Sequence, residues 1–179
     1  MKCPKCKNID LKATRLESGL PAAGCPQCEG ALVTLLYYRD WAENYNGEAS
    51  ATPPSLREDA PEVGANTVVT CPKCGRLMTR YRMTGEMHNA VDVCASCDEA
   101  WLDGGEWALL KVLQLANKMP LIFTEAWQRK VRKDMTDSKR RSILAKSIGD
   151  DAVARVDAFK AWLETINHKS DVLLYLNKD

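Results

Sequence analysis

Eight cysteines stand in four Cys-x-x-Cys pairs, and the pairs form two matched sets. Cys3-Pro4-Lys5-Cys6 goes with Cys25-Pro26-Gln27-Cys28, and Cys71-Pro72-Lys73-Cys74 with Cys94-Ala95-Ser96-Cys97, across gaps of 18 and 19 residues. Each pair presents two sulfurs to one ion from a tight turn. Two pairs at this spacing close a tetrahedral thiolate shell around one zinc. No cysteine is left over. The chain therefore reads as holding two structural Zn2+ ions, with Cys3, Cys6, Cys25, Cys28, Cys71, Cys74, Cys94 and Cys97 as ligands. A closed shell leaves no position for a reacting water, so these are structural rather than catalytic sites. The same ligand set can also hold iron for one-electron transfer. Paired redox dithiols are a further alternative, although no thioredoxin-like βαβ pattern surrounds them. A residue able to take positive φ commonly follows the second cysteine of such a turn. Gly75 fits that role, and Lys7, Glu29 and Asp98 do not.

The elements that position the cysteines follow from the repeat. Aligning Cys25 with Cys94 brings Ala31, Leu32, Val33 and Thr34 onto Ala100, Trp101, Leu102 and Asp103. Both repeats run knuckle, hairpin, knuckle, short apolar patch, N-cap residue and helix. Leu11, Ala13 and Leu16 lie on an extended stretch ending at Gly19, and Leu77, Thr79, Tyr81 and Met83 alternate before a turn-like Thr84-Gly85-Glu86. Thr34 is the N-cap candidate for a helix carrying Leu35, Tyr38 and Trp41, which Gly47 stops. Asp103 with Glu106 spells a capping box before Trp107, Leu109 and Leu110, and Pro120 ends that helix. The C-terminal third reads as three helices: about 121–135, then one from Asp137 or Ser138 to Gly149, then one that Asp150 caps. A last apolar segment, Val172–Leu176, is expected to fold back on them. The expected organisation is ribbon 1 plus helix at 1–45, an acidic, Pro-rich linker at 46–67, ribbon 2 plus helix at 68–119, and a helical region at 120–179. The fold class is α+β: two tandem four-cysteine ribbons, each followed by a helix, plus an α-helical C-terminal region.

A family resemblance rests on the second repeat. Cys71-Pro72-Lys73-Cys74-Gly75, Asp92-Val93-Cys94-Ala95-Ser96-Cys97 and Trp101-Leu102-Asp103-Gly104-Gly105-Glu106 resemble the TFIIB-type zinc finger of many small bacterial proteins. Repeat one looks like a diverged copy, with Leu32-Val33-Thr34-Leu35-Leu36-Tyr37 in place of the Trp-Leu-Asp-Gly-Gly-Glu run. The resemblance covers about residues 2–45 and 70–115. It implies a zinc ribbon followed by a helix, with the eight cysteines as ligands, and the family name points to transcription.

Composition bounds the rest. In 179 residues, each ribbon is only about 45 long, too short to be stabilised by burial alone. Bound zinc supplies an apparent ~10–16 kcal/mol in small finger peptides. No secretory signal or long apolar run is visible, so the expected compartment is the reducing cytosol, with no membrane association. The net charge is +1, which argues against a polyanion-binding surface over the whole chain. Residues 120–149, however, carry 8 Lys/Arg against 3 acids. Arg129, Lys130, Arg132, Lys133, Lys139, Arg140, Arg141 and Lys146 are candidate phosphate contacts, set against the alternative of a solvated, charged helical hairpin. The stretch 144–156 echoes a helix-turn-helix, but Asp150 and Asp151 would repel a DNA backbone. His88 sits in a hairpin loop, and His168 lies near a helix end where a cation complements the dipole. Asp92, Asp98, Glu99, Asp103 and Glu106 form the one carboxylate cluster that a divalent ion could use. No Ser-His-Asp set, P-loop or GxGxxG stands out. The functional expectation is a non-enzymatic, zinc-shaped binding module whose partner is nucleic acid, a nucleic-acid-associated protein or another protein. An iron redox protein or a metal-dependent enzyme is the competing class.

Overall fold

Each gap between knuckles folds into an antiparallel hairpin. Strand β1 (Lys12–Glu17) turns through Gly19, at φ 82°, into β2 (Leu20–Gly24), and β4 (Thr79–Arg82) pairs with β5 (Ala90–Cys94). The short apolar patch after each second knuckle becomes a third strand, β3 (Ala31–Thr34) and β6 (Glu99–Leu102). The computed structural model describes residues 1–45, 68–85 and 89–177. The expected linker at 46–67, with Gly47 in it, and His88 lie outside the described residues.

The two ribbons share one sheet. Its order is β1-β2-β3-β6-β5-β4, and β3 pairs antiparallel with β6. In this register Leu32 lies opposite Trp101, the residue it aligns with in the repeat. Ala31 faces Leu102 and Val33 faces Ala100, so the seam matches the self-complementary pairing of a two-fold dimer, built within a single chain. Side chains alternate across the sheet. Val33, Ala100 and Leu102 face the helices, while Leu32 and Trp101 join Cys3, Cys25, Cys71 and Cys94 in a second buried cluster.

Helices α1 (Leu35–Glu43) and α2 (Glu106–Val112) cover the first of these clusters. The 35/38/41 spacing puts Leu35, Tyr38 and Trp41 on the buried side of α1. Trp41 meets Trp107 edge-on with ring centroids 5.5 Å apart. The Tyr38 hydroxyl is fully buried and satisfied: it donates to Ala116 O and accepts from Met119 N–H, both at 2.8 Å. Burial raises its pKa to about 12, against the pull of the Met119 N–H. A side chain of ribbon 1 thereby holds the segment leading from α2 into α3 (Met119–Ile122).

The two expected caps form differently. Thr34 is the N-cap residue of α1, but its hydroxyl donates to Glu99 Oε1 at 2.9 Å instead of capping. Glu106 does reach back to the Asp103 N–H, at 2.7 Å. The N-cap of α2, however, is Gly105 at φ 89°, and the Asp103 carboxylate accepts from Trp101 Nε1 and pairs with Lys5. Pro120 does not end α2. It is the second residue of α3, in the first turn, where a missing N–H costs nothing.

The chain divides into two units, Met1–Arg132 and Lys133–Asp179, and the boundary falls within α4 (Glu125–Ile148). In the first unit, the start of α4 covers the β4 edge. Gln128 Oε1 accepts from Arg82 N–H at 3.2 Å while its Nε2 donates to Arg82 O at 2.9 Å, a side-chain amide standing in for a neighbouring strand. Trp127 Nε1 donates to Met83 O at 3.1 Å.

The second unit holds the rest of α4, then α5 (Asp150–Leu163) and α6 (Lys169–Leu176), with Val153 and Leu163 buried. The expected break at Asp137 or Ser138 is absent: α4 runs unbroken to Ile148, and Gly149, at φ 84°, is the only residue between α4 and α5. A single residue cannot form the turn of a helix-turn-helix, and Arg141–Asp157 at 2.8 Å ties α4 to α5 as a helical hairpin. Val172–Leu176 is helical, Leu173 lines a shallow cleft with Lys160, Ala161 and Leu163 of α5, and α6 has no buried residue.

Candidate metal centres

Backbone geometry aims the sulfurs. In each knuckle the residue after the second cysteine bends back over the pair. Its N–H bonds the first cysteine's carbonyl from Lys7 (2.8 Å), Glu29 (3.0 Å) and Gly75 (2.8 Å). This bend needs positive φ, and all four knuckles adopt it: Lys7 58°, Glu29 58°, Asp98 55° and Gly75 71°. The expectation that only Gly75 would do so is wrong. The turn dictates the conformation, and three non-glycine residues carry its steric cost, of order 1–2 kcal/mol each. Lys7→Gly and Glu29→Gly should therefore stabilise the metal-loaded chain by up to ~1 kcal/mol, and Gly75→Ala should destabilise it by a similar amount. A Cβ at Gly75 meets nothing within 4 Å, so its penalty is purely conformational. Thermal denaturation of the three variants checks both signs.

Within each group of four, the sulfurs lie within 4.8 Å of one another. Cys3–Cys28 and Cys74–Cys94 are 3.6 Å apart and Cys6–Cys25 3.9 Å. A tetrahedron with metal–sulfur bonds of about 2.3 Å has edges of about 3.8 Å. The separations fit that shell, they are far from disulfide length, and all eight cysteines are free. Each group can hold one metal ion. The Cys6 N–H donates to Cys3 Sγ at 3.3 Å, the kind of bond that offsets thiolate charge.

Metal-free, the thiols share charge unequally. Burial pushes Cys25 up, but the N–H groups of Cys28 and Gln27 prevail and bring it to about 7. Cys74 also falls to about 7, drawn down by the Arg76 N–H and by Cys97. Cys97, hydrogen-bonded to Cys74, is pushed up to about 12, and burial raises Cys28. A metal needs all four thiolates in each group, so binding expels protons and affinity falls as pH falls. Titrating the loaded protein from pH 8 to 5 against a chromophoric chelator should show progressive metal release.

The five acids do not converge on an ion. Arg80 grips the buried Asp92 through two bonds of 3.0 Å, Glu99 takes Lys73 and Thr34, and Asp103 takes Lys5 and Trp101. Arg39 grips Asp98 at 2.8 and 2.9 Å. Glu106 accepts from the Ala90 and Asp103 N–H groups, and burial raises it to about 8. His168 stands at the N-cap of α6, the end where a dipole disfavours a cation, and faces Asp171 at 3.5 Å. All eight basic residues of α4 are exposed. Arg129 pairs with Glu125 and Arg141 with Asp157. Sequence reasoning missed Lys5 and Lys73, which tie the first knuckles to Asp103 and Glu99. The signal was there in the lysine at the third position of both Cys-Pro-Lys-Cys turns.

The family model described as transcription factor zinc-finger, a zinc ribbon of TFIIB type, matches residues 2–44. Over this segment the chain is similar to a TFIIB-type zinc finger. The matched segment takes in both knuckles of the first group, β1 to β3 and α1, the ribbon-plus-helix unit the resemblance implied. It is the repeat that lacks the Trp-Leu-Asp-Gly-Gly-Glu run. The second four-cysteine group, at 71–97, has the same order of elements as the matched segment. No curated protein and no solved structure matches the chain. Among the described residues no helix is long and apolar enough to cross a membrane.

Proposed function

We propose that the chain is a non-enzymatic, cytosolic binding module held together by two structural zinc ions, and that its partner is nucleic acid, met through the basic side chains of α4. Zinc is favoured by the all-cysteine ligand sets, the tetrahedral sulfur separations and the zinc-finger match. The observation that carries the nucleic-acid reading is the state of the α4 cations. Among the described residues Lys130, Lys133, Lys139, Arg140 and Lys146 are exposed and make no salt bridge, so they remain available to phosphates.

Affinity for single- and double-stranded DNA and RNA, measured across a salt series, tests this. A steep fall of log K with log salt is expected. Neutralising Lys130, Lys133, Lys139 and Arg140 together should flatten the slope by about 3 to 4, close to one per phosphate contact. No binding at low salt would refute the reading.

A protein partner is the second reading, and one feature favours it. Leu174, Tyr175 and Leu176 on α6 and Trp162 on α5 are exposed large apolar side chains within one unit. If the salt series shows no nucleic acid, Leu174→Glu/Tyr175→Glu against the native chain in co-purification tests it.

A further inference from the structure

The two metal centres belong to a single buried cluster. Cys3 and Cys25 of the first group and Cys71 and Cys94 of the second pack with Leu32 and Trp101 on one face of the shared sheet. Trp101 and Leu32 face each other across the β3–β6 seam, and Trp101 is fully buried. A Cβ on Gly30, two residues past Cys28, would lie 2.4 Å from the Trp101 ring. The indole of ribbon 2 thus rests directly on the knuckle of ribbon 1.

Polar bonds cross the seam in both directions, and they end beside the ligands. Leu35 N–H, opening α1 of ribbon 1, donates to Asp98 O at 2.8 Å, and Asp98 follows Cys97 directly. Arg39 of α1 grips the Asp98 carboxylate through two bonds. Thr34 donates to Glu99, which also takes Lys73 from between Cys71 and Cys74. In the other direction, Lys5, between Cys3 and Cys6, pairs with Asp103 of ribbon 2. A Cβ on Gly104 would lie 2.6 Å from Cys28 O. The Cys3–Cys6 and Cys94–Cys97 turns are therefore each held by the strand–helix junction of the opposite ribbon, and the Cys71–Cys74 turn is tied to it through Glu99.

We propose that the two centres bind metal cooperatively: an ion at one raises the affinity of the other, through the β3–β6 seam. An ion at Cys71/Cys74/Cys94/Cys97 fixes the turn that carries Asp98 and Glu99, and with it the partners of Thr34, Leu35 and Arg39. The ordering of Trp101 and of the seam is then complete before the other ion arrives. That second ion meets a knuckle already supported, and it bears a smaller ordering cost. By linkage the effect is reciprocal. This inference rests on both cysteine groups holding zinc.

Native mass spectrometry of the full chain, stripped of metal and given one equivalent of Zn2+, tests it. Two independent, equal sites leave half of the chains with one ion. Coupling of tenfold, toward the lower end of usual allosteric factors, leaves about a quarter or fewer, with zero-ion and two-ion chains dominating. A one-ion population at or above the value that two independent sites of the measured affinities would give, one half when they are equal, would overturn the proposal. A chain that never carries two ions, even in excess Zn2+, would overturn the zinc reading and the coupling with it. The variant Thr34→Val/Arg39→Ala removes ribbon 1's side-chain hold on Asp98 and Glu99 and leaves both ligand sets intact. In it the one-ion population should rise at least about twofold, toward the independent value. An unchanged distribution in this variant, when folded and loaded with two ions, would overturn the seam as the route.

Discussion

Stripping both metals with a chelator is expected to unfold the sheet of both ribbons together with the core that spans them. On the proposed zinc reading, the ions would stand where a larger protein has buried side chains. Each is worth an apparent ~10–16 kcal/mol in finger peptides, comparable with the whole stability of a domain. Four sulfurs within 4.8 Å of one another cannot all stay ionised once the ion leaves, so the group takes up protons and loses the bonds that drew it together. Because β3 pairs with β6, neither ribbon can lose its hairpin without exposing the seam of the other. This departs from the simplest reading of two tandem fingers, in which Cys97→Ser would unfold ribbon 2 alone. Trp41, Trp101 and Trp107 are buried in this unit, so chelation should red-shift the tryptophan emission and abolish near-ultraviolet circular dichroism. Cys97→Ser should weaken hydrogen-exchange protection in β1 to β3 as well as in β4 to β6. Retained protection in β1 to β3 would show that the ribbons are independent.

Trp101→Ala should cost about 4 kcal/mol in urea denaturation of the metal-loaded protein, within the range for removing a buried aromatic. The indole is fully buried, touches both cysteine groups' cluster, and donates to Asp103 Oδ1 at 2.8 Å. Removing it opens a cavity at the seam and deprives Asp103 of a donor. Gly30→Ala attacks the same contact from the other side, because its Cβ would sit 2.4 Å from the ring, and overpacking of this kind costs about 1–3 kcal/mol. Trp101→Leu installs the side chain that ribbon 1 carries at the equivalent position. Combined with Gly30→Ala it should cost less than the sum of the two single changes, the signature of a direct contact.

The chemistry was legible in the sequence because thiolate coordination demands both residue type and spacing. Paired Cys-x-x-Cys turns have few other uses in a closed set of eight. The burial of Leu35, Tyr38 and Trp41 was legible too, since a 3.6-residue period leaves little choice of face. The seam was not. The sequence aligned Leu32 with Trp101 as equivalents, whereas their being partners depends on two four-residue strands meeting edge to edge across a long separation. Local signals also misled where tertiary contacts outbid them. Asp103 reads as an N-cap, yet Lys5 from the other ribbon and Trp101 claim its carboxylate. Lys7, Glu29 and Asp98 carry positive φ because the knuckle imposes it, against their own preference. Asp137 and Ser138 read as a helix start, but the helix-favouring residues around them carry α4 through. The apolar run of α6 suggested burial against the neighbouring helices, and Leu173 to Leu176 instead remain exposed.

The most direct measurement is the metal content of the folded chain purified without added metal, read by native mass spectrometry together with elemental analysis. Two zinc ions per intact chain, both lost when the chain is denatured, are expected. One ion, none, or iron in a chain that remains folded would contradict the assignment of two closed zinc centres.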